Sequence, residues 1–97
     1  MTGEFRRWLN ALRDREAYRR INVRLDRLAS GNLGLHRVLA SGVGELKVDH
    51  GPGYRLYFLR KGDALVILLS GGDKSTQQRD IRRAIAMAND LDIDTCQ

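Results

Sequence analysis

The chain has 97 residues, enough for one hydrophobic core and too few for two, so it is read as a single domain over residues 1–97. Hydrophobic residues make up 42% and charged residues 30%, ordinary proportions for a globular chain that exclude a fibrous or low-complexity protein. Seventeen Lys and Arg against twelve Asp and Glu leave +5, which favours a polyanionic or acidic partner.

Phe5, Trp8, Leu9 and Leu12 fall at i, i+3, i+4 and i+7, the spacing of one helix face. Asp14 is placed to cap a second helix, in which Ala17, Ile21, Leu25 and Leu28 repeat before Ser30-Gly31-Asn32 ends it. From Val43 the period changes to two. Leu46 and Val48 alternate with Glu45, Lys47 and Asp49, and Leu56 and Phe58 alternate with Arg55 and Tyr57, so two strands each carry an apolar and a polar face. Gly51-Pro52-Gly53 between them predicts a three-residue hairpin turn that sets Asp49 opposite Arg55 and Lys47 opposite Tyr57. After a turn at Lys61-Gly62-Asp63, the segment Ala64 to Leu69 is apolar on both sides and is expected as the central, covered strand. Ser70 to Lys74 reads as a loop, and Ser75 with Gln78 as a capping box opening a last helix striped by Ile81, Ala84, Ile85 and Ala88. The expected fold class is α+β: two N-terminal helices on a small, mainly antiparallel sheet, with a C-terminal helix.

The polar sheet face is the strongest candidate site. Glu45, Lys47, Asp49, Arg55 and Tyr57 project together from neighbouring strands. RNA cleavage by its own 2′-hydroxyl needs that hydroxyl deprotonated, the phosphorane charge stabilised and the leaving oxygen protonated. Arg55 and Lys47 suit the second task, with Tyr57 or His50 near the proton transfers, although alternation puts His50 on the apolar side. The same residues also fit a structural cross-strand pair, Asp49 with Arg55. Gly71-Gly72-Asp73-Lys74-Ser75-Thr76 lies between strand and helix but lacks the glycine spacing of an ATP-binding P-loop. Amides at that helix start, with Lys74 beside them, still suit an RNA phosphate. Trp8 reads as core, while Tyr54 and Tyr57 stay open as stacking partners.

His36 and His50 have no paired ligand spacing and the one cysteine, Cys96, is penultimate, so no metal, internal disulfide or cofactor is implied. No apolar run approaches the roughly 20 residues of a membrane span, and Arg6-Arg7 interrupts any N-terminal signal. A cytoplasmic location is expected.

Phe5-x-x-Trp8-Leu9, Leu12-Arg13-Asp14, Gly31-Asn32, Gly42-Val43-x-Glu45-Leu46, Gly51-Pro52-Gly53-Tyr54-Arg55-x-Tyr57 and Gly71-Gly72-Asp73-Lys74-Ser75-Thr76-Gln77 resemble the HigB-like, addiction-module killer branch of the RelE/ParE toxin superfamily. The resemblance covers nearly the whole chain. It implies a type II toxin that cleaves mRNA, usually on the translating ribosome. It also implies silencing by a helix-turn-helix, HigA-like antitoxin through which alone operator DNA is bound. By the same resemblance Arg55 matches a sheet arginine that contacts the scissile phosphate, Lys74 the basic position after the last strand, and Lys47 a basic strand position. With Tyr57 these form the expected catalytic set, and Arg55, Lys74, Tyr54 and His50 the expected RNA-binding set. The pattern departs in three places: relatives begin with a strand before the Phe5 segment, carry an acidic residue at Leu35, and have glycine at Ala40. Two other readings stay open, a ParE-like, non-nucleolytic gyrase inhibitor and a degenerate toxin kept as an antitoxin-bound scaffold.

Overall fold

The structure, a computed structural model, describes residues 1–62 and 65–95. Asp63 and Ala64, expected in the second turn and at the start of the last strand, and Cys96 lie outside the described residues. Helix α1 (Gly3–Asn10) is followed by α2 (Arg15–Ala29), strands β1 (Arg37–Val38), β2 (Val43–Val48), β3 (Tyr54–Lys61) and β4 (Leu65–Asp73), and helix α3 (Gln77–Thr95). The strands form one antiparallel sheet in the order β1-β2-β3-β4. The expected α+β class holds.

The capping chemistry sets the first two helices. Thr2 Oγ1 accepts from the Phe5 amide at 3.1 Å and donates to the Leu69 carbonyl at 2.7 Å, which ties the start of α1 to β4. Helix α1 ends at Asn10, so Leu12 packs from beyond it. Asp14 caps α2 as expected, its Oδ1 accepting from the Glu16 amide at 2.9 Å and the Ala17 amide at 3.2 Å.

Period-two alternation divides the sheet as predicted. Leu46, Val48, Tyr54, Leu56 and Phe58 face α1 and α2, meeting Phe5, Leu9, Ala17, Ile21 and Leu28 in one core. Val43, Tyr57, Leu59 and Leu69 turn the other way against Ala84 and Ala88 of α3. Full burial of each large apolar side chain contributes about 1.5–3 kcal/mol, so both faces of the sheet are stabilised.

The register differs from the expected one by two residues. Lys47, and not Asp49, is the partner of Arg55, and Glu45 the partner of Tyr57. Pairing stops at Val48 and Tyr54 because His50 is drawn out of the ladder: its Nε2 lies 2.9 Å from Asp14 Oδ2. The connection is therefore longer than a three-residue turn, with Gly51 at φ 55 and Gly53 at φ 80 allowing the reversal. A shift of two leaves every side chain on its expected face.

Strand β4 corrects two further expectations. It is buried from Leu68 to Ser70, but Leu65 is 54% exposed, and the strand lies at the edge with β3 inside. It also continues through the segment read as a loop, Gly71 pairing with Leu56, Gly72 with Arg55 and Asp73 with Tyr54. The two glycines give clearance on opposite faces. A side-chain carbon at Gly71 would lie 2.3 Å from the Trp8 ring, and one at Gly72 1.9 Å from Asp80 Oδ2. Trp8, half-buried as expected for a core residue, sets its ring system 5.6 Å from Phe5 in a tilted pair and 6.2 Å from Tyr54 in an edge-on one. Gly71→Ala is expected to cost about 1–3 kcal/mol through overpacking, measured as a lower urea midpoint at unchanged m-value.

Candidate functional site

Helix α3 covers only part of its sheet face. At the end nearer the β2–β3 connection the face carries Glu45, Lys47 and Arg55, with the start of α3 alongside. Arg55 and Lys47 are direct cross-strand partners, while Lys74 joins them through Gly53: a carbon there would lie 3.3 Å from Arg55 Nη1 and 4.0 Å from Lys74 Cβ. Backbone pairing thus sets Lys47 beside Arg55, and the Lys74 Cβ borders the same glycine as the Arg55 guanidinium. Lys47 and Lys74 are exposed. Arg55 is 8% exposed, its Nη1 donating to the Gly53 carbonyl at 2.9 Å, and it forms the floor between them.

The centre of the site is a carboxylate absent from the expected catalytic set. Glu45 is 7% exposed and is contacted from three elements: by Arg37 Nη2 of β1 at 2.8 Å, by Arg55 Nε of β3 at 3.9 Å, and by Gln77 Nε2 of α3 at 3.0 Å. A charge taken this far from water persists only when paired and hydrogen-bonded. The sequence placed Glu45 on the right face; its centrality depends on Arg37 and Gln77, from segments that alternation does not connect to it.

Tyr57 shares the face but is wholly buried, and its hydroxyl has no hydrogen-bond partner among the described residues. Burial first, then the negative charge of Glu45, pushes its phenol far above the ordinary value of 10.0. It remains a protonated phenol, shut away from any ligand in this conformation. Tyr54 and His50 lie on the other side of the sheet. Tyr54 is buried beside Trp8, and His50 is paired with Asp14, as its apolar-side position implied.

The start of α3 is also arranged differently from the expected capping box. Asp73, rather than Ser75, is the cap: its Oδ1 accepts from the Ser75 hydroxyl at 2.5 Å and the Ser75 amide at 2.8 Å. These bonds, the hydroxyl's foremost, hold the Asp73 carboxyl below its usual range. The Ser75 amide is thereby occupied by the protein's own anion, which leaves the side chains of Lys74, Arg79 and Arg82 as the cationic groups lining the hollow there. A short turn, Lys74–Thr76, precedes α3, and Thr76 Oγ1 donates to the buried Asp80 Oδ2 at 2.5 Å. Among the described residues no three His, Cys, Asp or Glu side chains cluster as metal ligands.

A two-helix layer on one side of a four-strand sheet, with α3 on the other, defines a small α+β domain. The profile of the phage-derived Gp49-like proteins matches residues 7–91, and the chain belongs to that family, an addiction-module toxin family related to the RelE/ParE type. A protein of Haemophilus influenzae (strain Rd), carrying only the description of an uncharacterized protein, is 44% identical over 90 residues, covering 93% of this chain and 91% of the relative. No solved structure matches. Among the described residues no helix is long and apolar enough to cross a membrane.

The contact between Asp14 and His50 fixes the loop beside the site. The His50 hydrogen bond first, then the Ala17 amide, holds the Asp14 carboxyl below its ordinary 3.8. A depressed folded-state value means that the stabilisation is complete above the ordinary range and is lost as pH falls through the lowered value. Asp14→Asn should therefore melt below wild type at pH 7, and the difference in melting temperature should close on acidification below about pH 4.

Proposed function

We propose that the protein is a HigB-like toxin that cleaves mRNA, acts on transcripts at the ribosome, and is held inactive by a helix-turn-helix antitoxin of HigA type. The observation that carries this reading is the cross-strand pairing of Lys47 with Arg55, whose guanidinium lies 3.9 Å from the buried Glu45 carboxylate, with Lys74 following β4 at the same end of the sheet.

Each step of transesterification has a group in reach. Glu45 takes the proton of the 2′-hydroxyl as its oxygen bonds to phosphorus. Arg55, with Lys47 opposite, stabilises the extra charge on the phosphorane, where a guanidinium fixed in advance needs no reorganisation. The phosphorus bond to the 5′-oxygen then breaks, and Lys74 supplies the proton that oxygen requires. The products are a 2′,3′-cyclic phosphate and a 5′-hydroxyl, and exchange with solvent returns the proton from Glu45 to Lys74 for the next turnover. Arg37 and Gln77 hold Glu45 in place. Tyr57, from its buried position, acts as packing in this scheme.

An antitoxin segment rich in acidic side chains would cover the same cations and exclude RNA phosphate. The domain folds around apolar residues elsewhere, so the exposed lysines are separable from stability.

Induced expression in bacteria should arrest growth with cut transcripts and falling protein synthesis. Lys47→Ala and Lys74→Ala should each relieve the arrest, with cleavage of a purified transcript falling by about 10²-fold or more, while soluble yield and melting temperature stay near wild type. Arrest with intact transcripts and stalled replication would instead assign the protein to gyrase inhibition. Tyr57→Phe removes a buried hydroxyl that lacks a partner. It should keep transcript cleavage within a few-fold of wild type and leave stability equal or up to about 1 kcal/mol higher, as read by denaturant unfolding.

A further inference from the structure

A second basic surface lies outside the hollow. On α2, Arg20, Arg24 and Arg27 recur at i, i+4 and i+7, one stripe about 10 Å long. Together with Lys47, Val23 and Asp49 they line an open groove of about 390 Å³ between α2 and β2. The groove does not end there. A neighbouring hollow of about 380 Å³ is lined by Arg24, Lys47 and Asp49 again, and continues to Arg37 and Glu45. Shared walls make one path around the free edge of β2. That edge is open because β1 pairs only with Gly44 and Glu45, leaving Leu46 to Val48 without a strand on their outer side.

The charges along the path are unequal in their commitments. Lys47 is paired with Asp49 at 3.2 Å, and Arg20 with Glu16 at 3.0 Å. Arg24 and Arg27 make no salt bridge among the described residues. Arg24 instead leans on the loop, where its Nη2 lies 3.2 Å from the place a side-chain carbon of Gly34 would take. Arg20, Arg24, Arg27 and Lys47 outnumber the one carboxylate lining the groove, Asp49, and an external anion relieves the repulsion of the excess.

We infer that this groove is a second binding site for single-stranded RNA, taking the phosphates that flank the cleaved bond and leading the strand from the hollow, around the β2 edge, onto α2. An RNA strand is favoured over an acidic peptide on two grounds. Forked guanidiniums match phosphate oxygens in pairs, and the groove runs without a break into the hollow where the proposed chemistry takes place. The inference rests on the RNA reading of that hollow. It adds that substrate length matters.

The test uses the full chain and two 2′-O-methyl RNA probes, which lack the attacking hydroxyl, a 20-mer and a 5-mer. Binding of each is followed by fluorescence anisotropy across a potassium chloride series for wild type and for Arg24→Gln/Arg27→Gln. Wild type should prefer the 20-mer, and the double variant should lose that preference. The slope of log K against log salt for the 20-mer should become shallower by about 1.4, two phosphate contacts at roughly 0.7 each for a single strand. Retention of the length preference, or an unchanged slope, overturns the inference. So does a glutamate 20-mer that binds wild type as tightly as the RNA and is lost in the variant, because it assigns the groove to an acidic peptide. Cleavage of a natural transcript is read separately. Length preference without cleavage would sink the endonuclease reading and keep the groove, whereas cleavage without length preference would sink the groove alone.

Discussion

Three elements distant in sequence are joined at one buried carboxylate. Glu45 meets Arg37, Arg55 and Gln77, so the short edge strand β1, the inner strand β3 and the start of α3 are held in register by charge where apolar packing runs out. A lone ionised group at this depth would carry a desolvation penalty of several kcal/mol. Three donors from three directions offset it. The arrangement also sets what the site can bind. Among the described residues Glu45 Oε1 is engaged by Arg37 alone, which leaves it a lone pair for a further proton, while the exposed side chains of Lys47 and Lys74 face outward.

The packing beneath serves the same end. Gly72 is opposite Arg55 in the ladder, and the absence of a side chain there lets Asp80 lie against the strand, where Thr76 anchors it. Gly71, one residue earlier, admits Trp8 on the other face. Strand β4 can thus be clasped by α1 and α3 at once. Gly44 works similarly on β2, since a carbon there would lie 2.3 Å from the Phe58 ring. These glycines lie in strand because bulky neighbours need the space, a cause different from the flexibility that glycine pairs suggest in isolation.

That difference explains which features were legible in the sequence. Alternation along 43–48 and 54–59 reports which face each residue occupies, and the faces were correct because a side-chain period of two is a property of the strand alone. Register is a property of the turn, and here the turn is set by His50 reaching Asp14, a contact between segments 36 residues apart. Depth is likewise nonlocal. Tyr57 and Lys47 alternate onto one face, yet α3 seals Tyr57 and leaves Lys47 exposed. The apolar run of β4 signalled cover on both sides, and it has that cover at Leu68 and Leu69 but not at Leu65. Its place at the sheet edge follows from the order of pairing, which composition does not encode. Gln77 and Arg37 had no periodic signal at all; only the meeting of β1, β2 and α3 makes them partners of Glu45.

Composition and chemistry converge at the rim. The chain has three lysines, and two of them, Lys47 and Lys74, flank Arg55. Arginine can hold charge but cannot release a proton under physiological conditions, whereas an ammonium group can do both. Within the proposed reaction, then, Arg37 and Arg55 are confined to fixing and stabilising negative charge, and the proton for the departing oxygen has to come from a lysine. Lys47 is engaged by Asp49, while Lys74 forms no salt bridge among the described residues. Asp73 sharpens the distinction by turning its carboxylate onto Ser75, so the residue next to Lys74 in sequence is spent on the helix cap. The division of labour follows from side-chain chemistry and placement together: guanidiniums in the floor and along α2 for holding phosphate, and an unpaired ammonium at the start of α3 for the transfer that a guanidinium cannot make.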